Sequence, residues 1–229
     1  MIAQNFHTIR NEMRACAKQC ERQAEDVKLI AVSKRKPVEL IQEAYDNGQL
    51  QFGENYLQEA AEKIPQLPAD ISWHFIGHLQ SNKTKQAVAL FDVIETVDRI
   101  KLAKLIDKHA KALQKNVSIL LQINIGKEKQ KGGVMPEEAE LLLNQIRDET
   151  DLPVLGLMII PPFSADAEQT RKFFIQTRKM AENFAKKHLF ADNNKVELSM
   201  GMSGDFQVAI EEGATYIRIG TALFGAREK

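Results

Sequence analysis

Eight short apolar runs, separated by longer amphipathic stretches, constrain the fold of this chain more than any other feature. The runs lie at 28–33, 51–53, 72–76, 93–97, 117–124, 154–159, 196–200 and 215–219. Runs such as Ile119-Leu120-Leu121-Gln122-Ile123 are apolar on both faces, as strands are when helices cover both sides of a parallel sheet. Between them, apolar residues recur at the helical period and predict helices near 37–47, 55–64, 79–89, 99–113, 136–149, 166–187 and 204–212. Pro37 and Pro136 suit first helical turns, and Asp98 and Ser203 suit N-caps. Alternating β and α units leave two architectures, a closed barrel or an open doubly wound sheet. Eight units in 229 residues, with no Gly-rich dinucleotide fingerprint after the first strand, favour closure. The expectation is an α/β fold, a single TIM (β/α)8 barrel spanning 1–229 with no second β domain.

An opening helix precedes the first strand. Ile2, Phe6, Ile9, Met13, Cys16 and Cys20 recur at alternating spacings of four and three, so the two cysteines read as core filler on an amphipathic face. Two cysteines alone make no four-ligand zinc site.

Composition narrows the partners. Lys plus Arg and Asp plus Glu number 31 each, so no global field favours nucleic acid or an anionic membrane, and any anion must be met locally. The longest apolar stretch, 152–163, is broken by Pro153, Gly156 and Pro161 and falls short of the ~18 residues a spanning helix needs. Arg10, Glu12 and Arg14 interrupt any signal-peptide core, which makes a cytoplasmic location the expectation. The segment 126–133, with Lys127, Lys129 and Lys131, reads as a solvated loop.

In a barrel, polar residues at the C-terminal strand ends converge on one mouth. Period-two alternation places Ile30, Val32 and Lys34 on one face of the first strand. If that face is inward, Lys34 enters the mouth, as an ion-paired lysine or as an imine-forming amine among apolar walls. The segment Leu198-Ser199-Met200-Gly201-Met202-Ser203-Gly204-Asp205 ends a strand and opens a helix, where Gly201 and Gly204 permit close backbone approach. Tyr216-Ile217-Arg218-Ile219-Gly220-Thr221 reads as strand, glycine turn and one short extra helix. Barrels bind phosphate between these last two loops and such a helix. Arg218 alternates with apolar neighbours, so on the barrel's inner face it would be buried and in need of an acceptor, either an ion-pair partner or a ligand atom. His74 and His78 have i,i+4 spacing, but Gly77 and the strand pattern at Phe75 argue against one helical face and hence against a metal pair.

Six motifs in order resemble the pyridoxal phosphate homeostasis protein family, relatives of the barrel domain of alanine racemase and of bacterial-type ornithine decarboxylase. They are Ala-Val-Ser-Lys at 31–34, Phe-Gly-Glu-Asn-Tyr at 52–56, His-Phe-Ile-Gly-His-Leu-Gln-Ser-Asn-Lys at 74–83, Gly-Leu-Met at 156–158, Met-Gly-Met-Ser at 200–203, and Arg-Ile-Gly-Thr with Phe-Gly-Ala-Arg across 218–227. The resemblance covers essentially the whole chain. It implies pyridoxal 5'-phosphate held as a Schiff base on Lys34. It also implies a phosphate cradle of Ser203, Gly220 and Thr221, with Arg218 facing the pyridine nitrogen. Asn55, Met200, Gly201 and Met202 would line the cofactor less directly. Lys36 matches a family position, either assisting transfer of the aldehyde between amines or standing exposed.

A cationic arginine disfavours a protonated ring nitrogen, which makes the cofactor a weak electron sink. Racemase relatives also use an arginine there, but complete the site with a second, β-rich domain that is not expected here. A wetter mouth stabilises a carbanion poorly and opens the imine to exchange. The expectation is therefore a carrier in vitamin B6 and amino-acid homeostasis rather than an enzyme, monomeric, with free amines, amino acids and apo pyridoxal phosphate enzymes as partners. The alternatives are an amino-acid racemase or decarboxylase whose mouth another chain closes, and an aldolase-type barrel that uses Lys34 on a carbonyl substrate.

Overall fold

The structure, a computed structural model, describes residues 2–225. Eight parallel strands close into a barrel in sequence order. They are β1 (Lys28–Val32), β2 (Gln51–Glu54), β3 (Ser72–Phe75), β4 (Val93–Val97), β5 (Ser118–Ile123), β6 (Val154–Ile159), β7 (Glu197–Ser199) and β8 (Tyr216–Ile219). The opening helix is α1 (Ile2–Gln19). Then follow α2 (Val38–Asp46), α3 (Leu57–Lys63), α4 (Thr84–Leu90), α5 (Ile100–Leu113), α6 (Ala139–Glu149), α7 (Glu168–Lys186), α8 (Phe206–Glu211) and the single-turn α9 (Thr221–Phe224). Closure pairs β1 with β8 through Lys28–Tyr216, Leu29–Ile217, Ile30–Arg218 and Ala31–Ile219. Ala226 and Arg227 of the last motif lie outside the described residues.

Each strand sorts its residues by alternation. Leu29 and Ala31 join the large apolar layer between barrel and helices, whereas Ile30 packs inside with Leu120, Met158 and Tyr216. The α1 stripe behaves as its period demands: Ile2, Phe6, Ile9, Met13 and Cys16 are buried, and Cys20 is partly buried against them. Phe6 meets Phe224 edge-on at 6.0 Å, and Asn5 donates to the Leu223 carbonyl at 2.9 Å, so the opening helix buttresses α9. Burying one such phenylalanine contributes about 1.5–3 kcal/mol.

The helix starts differ from expectation where local polar contacts compete. Asp98 and Ser203 are not the cap residues; Arg99 and Asp205 occupy those positions. The Asp98 carboxylate is drawn to Arg99 Nη1 at 2.5 Å. The Asp205 carboxylate accepts the Met202 N–H at 2.7 Å and folds 202–205 into a turn ahead of α8. Pro37 sits at the N-cap of α2, and Pro136 belongs to a turn that precedes α6. The segment 126–133 is also tied more closely than a solvated loop. Asn124 Nδ2 bonds the carbonyls of Glu128 and Lys131, and Lys131 Nζ reaches the Pro161 carbonyl at 2.9 Å.

Candidate functional site

At the C-terminal mouth, the ends of β1, β2, β3, β6, β7 and β8 enclose a cavity of about 190 Å³. Lys34, Asn55, Met202, Ser203, Arg218, Gly220 and Thr221 all line it, and Val32, Ile76, Met158 and Ile160 supply apolar walls. Met200 and Gly201 lie outside the lining. Met200 is fully buried in the outer apolar layer. Gly201 adopts φ +93°, and a side chain there would strike the Ala209 methyl at 2.6 Å, so glycine is required by conformation and by packing. Gly204 faces open space rather than a close backbone neighbour.

Lys34 sits in a turn in which Lys36 N–H donates to the Ser33 carbonyl at 3.0 Å, and Arg35 takes the left-handed φ of 59°. This turn places Lys34 half-buried at the cavity. Lys36, in contrast, is 9% exposed and does not line the cavity. Its ammonium donates to the carbonyls of Phe224 at 3.1 Å and Gly225 at 3.2 Å, at the C-terminal end of α9. The exposed alternative is thus corrected: orphan carbonyls at a helix end attract a cation strongly enough to fold it inward.

Arg218 is 4% exposed inside the barrel. Its Nη1 donates to Ser199 Oγ at 2.6 Å and its Nη2 to the Ile159 carbonyl at 2.8 Å. Ser199 in turn donates to Glu95 Oε2 at 2.5 Å, and Glu95 Oε1 bonds His74 Nδ1 at 2.7 Å. Strands β4 and β7 are not neighbours, so the Glu95–Ser199 bond crosses the barrel interior. Burial by itself raises the Glu95 carboxyl, but the His74 hydrogen bond and the nearby Arg218 charge outweigh it and hold the group below its ordinary range. Burial likewise pulls the Arg218 guanidinium down, with Glu95 and Asp205 opposing. A guanidinium stays cationic in proteins, so Arg218 gives the cavity floor a fixed positive charge, braced from behind by the Glu95 carboxylate.

Sequence reasoning missed Glu95 and Ser199, although Glu95 is the one charged residue in the wholly buried strand β4. A lone charge in such a strand is the signal that finds it. His74 serves the same chain of hydrogen bonds, while His78 is exposed. Among the described residues no group of three or more His, Cys, Asp or Glu is placed to hold a metal ion.

Asn55 Oδ1 is buried with no hydrogen-bond partner among the described residues. It borders both the Lys34 cavity and an adjoining cavity of about 210 Å³ lined by Tyr56, His78, Gln80 and Lys83. A larger hollow of about 480 Å³ lies at the other end of the barrel, around the starts of β1 and β2. It gathers none of the residues at the C-terminal strand ends. No helix among the described residues is long and apolar enough to cross a membrane.

A closed parallel barrel with a lysine after β1, an inward arginine on β8 and a one-turn helix behind it is the class to which residues 5–228 also match by sequence, described as "Alanine racemase, N-terminal domain". The chain belongs to the pyridoxal phosphate homeostasis protein family. It is 42% identical to the "Pyridoxal phosphate homeostasis protein" of Pasteurella multocida over 99% of this chain and 98% of that one. It is 40% identical to the protein of the same name from Escherichia coli K12 over 99% and 97%. The structure of PipY from Synechococcus elongatus with PLP bound superposes with a TM-score of 0.84 at 38% identity, covering 98% of this chain and 100% of that one.

Proposed function

We propose that this protein is a single-domain, cytoplasmic, monomeric carrier of pyridoxal 5'-phosphate, held as a reversible Schiff base on Lys34 and acting in vitamin B6 and amino-acid homeostasis. The observation that carries the reading is one cavity lined by an amine, a buried guanidinium, two hydroxyls and the start of a short helix, between apolar walls. These groups fit the cofactor's parts. Val32, Ile76, Met158, Ile160 and Met202 offer surfaces to a planar ring. Ser203, Thr221 and the backbone at Gly220 offer donors to a phosphate. Asn55 Oδ1, buried and without a partner among the described residues, has hydrogen-bonding capacity to offer a ring substituent. A PLP-bound relative of the same fold supports the assignment.

When bound, pyridoxal phosphate would supply an aldehyde for reversible C=N formation with loss of one water, and the Lys34 amine would hold it. Lys34 would be regained when water or another amine takes its place. The protein's own part is to orient the amine, to anchor the phosphate and to keep a cation beside the ring. Arg218 disfavours protonation of a ring nitrogen placed next to it, so a bound cofactor withdraws electrons weakly. That favours holding and handing over the cofactor, to free amines, amino acids or apo-enzymes, over turnover of a substrate. The names of the relatives point the same way.

Borohydride reduction of the protein incubated with pyridoxal phosphate, followed by peptide mapping, tests this reading. A phosphopyridoxyl adduct confined to the Lys34 peptide and lost in Lys34→Ala is the expected result. Absence of any adduct at excess cofactor refutes it.

A further inference from the structure

The backbone on either side of Lys34 is gripped by a buried ionic cluster built from Glu54, Glu59 and Lys63, which lie outside the cavity lining. Lys63, at the end of α3, is buried and donates to the Ser33 carbonyl at 2.9 Å. The same ammonium bonds Glu54 Oε1 at 3.1 Å and pairs with Glu59. The Glu59 carboxylate also accepts the backbone N–H of Arg35. Glu54, fully buried at the end of β2, accepts the Ser33 hydroxyl at 2.7 Å. The carbonyl before Lys34, the side chain before it and the amide after it are therefore all held by three charged residues from β2 and α3. Arg35 is kept in the left-handed region at φ 59°, a conformation that a non-glycine residue leaves unless its surroundings hold it.

We infer that Lys63, Glu59 and Glu54 are positioning residues that aim Lys34 at the cofactor's aldehyde. The inference rests on the reading of Lys34 given above and extends it to residues that never touch the cavity. The physical case is one of cost. Glu54 is wholly buried, its second oxygen without a partner among the described residues, and desolvation raises its carboxyl, only partly offset by Lys63 and Ser33. If holding β2 against α3 were the sole requirement, apolar side chains of similar volume would serve as well or better. The cluster instead delivers hydrogen bonds to one three-residue turn, where a small error in backbone placement is carried directly to the lysine amine. Preorganising that amine lowers the entropic cost of forming the C=N bond, and misplacement near 1 Å costs about a hundredfold in such reactions.

The test compares Glu59→Gln, Lys63→Gln and, as a control on the exposed face of the same helix, Glu62→Gln. Each full-length protein is saturated with pyridoxal phosphate, and two quantities are read: the rate at which the imine band appears, and the fraction of bound cofactor trapped on Lys34 by borohydride. Glu59→Gln and Lys63→Gln are expected to form the imine about ten- to a hundredfold more slowly and to trap a smaller fraction at equal saturation. Glu62→Gln should match the wild type. Should Lys63→Gln fail to fold, Glu59→Gln, which keeps side-chain shape at a partly exposed site, decides alone. Wild-type imine rate and trapped fraction in folded Glu59→Gln, whatever its melting temperature, would make the cluster purely structural and overturn the inference. Failure of the wild type itself to form an imine would instead overturn the assignment of Lys34, a separate outcome.

Discussion

Replacing Glu95 with glutamine isolates the charge that braces Arg218 while keeping nearly the same shape. Glu95 is fully buried, accepts hydrogen bonds from His74 and Ser199, and stands one hydroxyl away from the Arg218 guanidinium. Removing one partner of a buried charge pair costs 3–5 kcal/mol, because the other charge is left uncompensated. Ser199 separates the two charges here, so we take the lower end, about 3 kcal/mol. In a domain of this length each kcal/mol moves the melting temperature by about 2–4 °C, which gives a drop of about 6–12 °C.

The pH dependence adds a second constraint. The Glu95 carboxyl is held below its ordinary value of 4.5, so its charge stabilises the fold above that value. The contribution fades as pH falls through the lower, folded-state value. Urea unfolding of wild type and Glu95→Gln should therefore differ by about 3 kcal/mol at neutral pH and converge in acid. Arg218→Met should also cost less in the Glu95→Gln background than in the wild type, since the two sites share one network. A neutral-pH difference below about 1 kcal/mol, or one that persists undiminished in acid, would refute the view that Glu95 compensates Arg218.

Two further substitutions separate packing from binding. Gly156→Ala places a methyl 1.8 Å from the Glu197 carbonyl oxygen, so β6 and β7 must part; the urea midpoint should reveal a loss of about 3 kcal/mol or more. Asn55→Ala removes a buried oxygen that has no partner among the described residues. It should leave the stability of the cofactor-free protein within about 0.5 kcal/mol of wild type, while an absorbance titration shows weaker binding of pyridoxal phosphate.

Much of this molecule was legible from periodicity alone. Strands β1 to β8 appear where short apolar runs occur, because a strand covered on both faces has no choice of polar alternation. The same period of two put Lys34 on one face with Ile30 and Val32 and set Arg218 apart from Ile217 and Ile219, since alternate residues of a strand share a face; which face turned inward was decided by barrel closure. The short helix after β8 followed from a glycine turn and the few residues beyond it. Helix starts were less legible, as at Asp98 and Ser203, because several polar side chains compete for the same few amides, and distance decides among them.

What tertiary structure alone decided are the partners of the buried charges. The Glu95–Ser199 bond joins residues 104 positions apart, and Lys36 reaches carbonyls 188 and 189 positions away. Lys63 meets the Ser33 carbonyl across 30 residues. No local pattern encodes such pairings, because a hydrogen bond selects its partner by position to within a few tenths of an ångström, and those positions exist only after the barrel has closed. The sequence by itself determined a β/α barrel with a lysine just past its first strand and an arginine on its last. Closure determined which carboxylates stand behind them, because a desolvated charge accepts only the partners that the packed strands bring within reach.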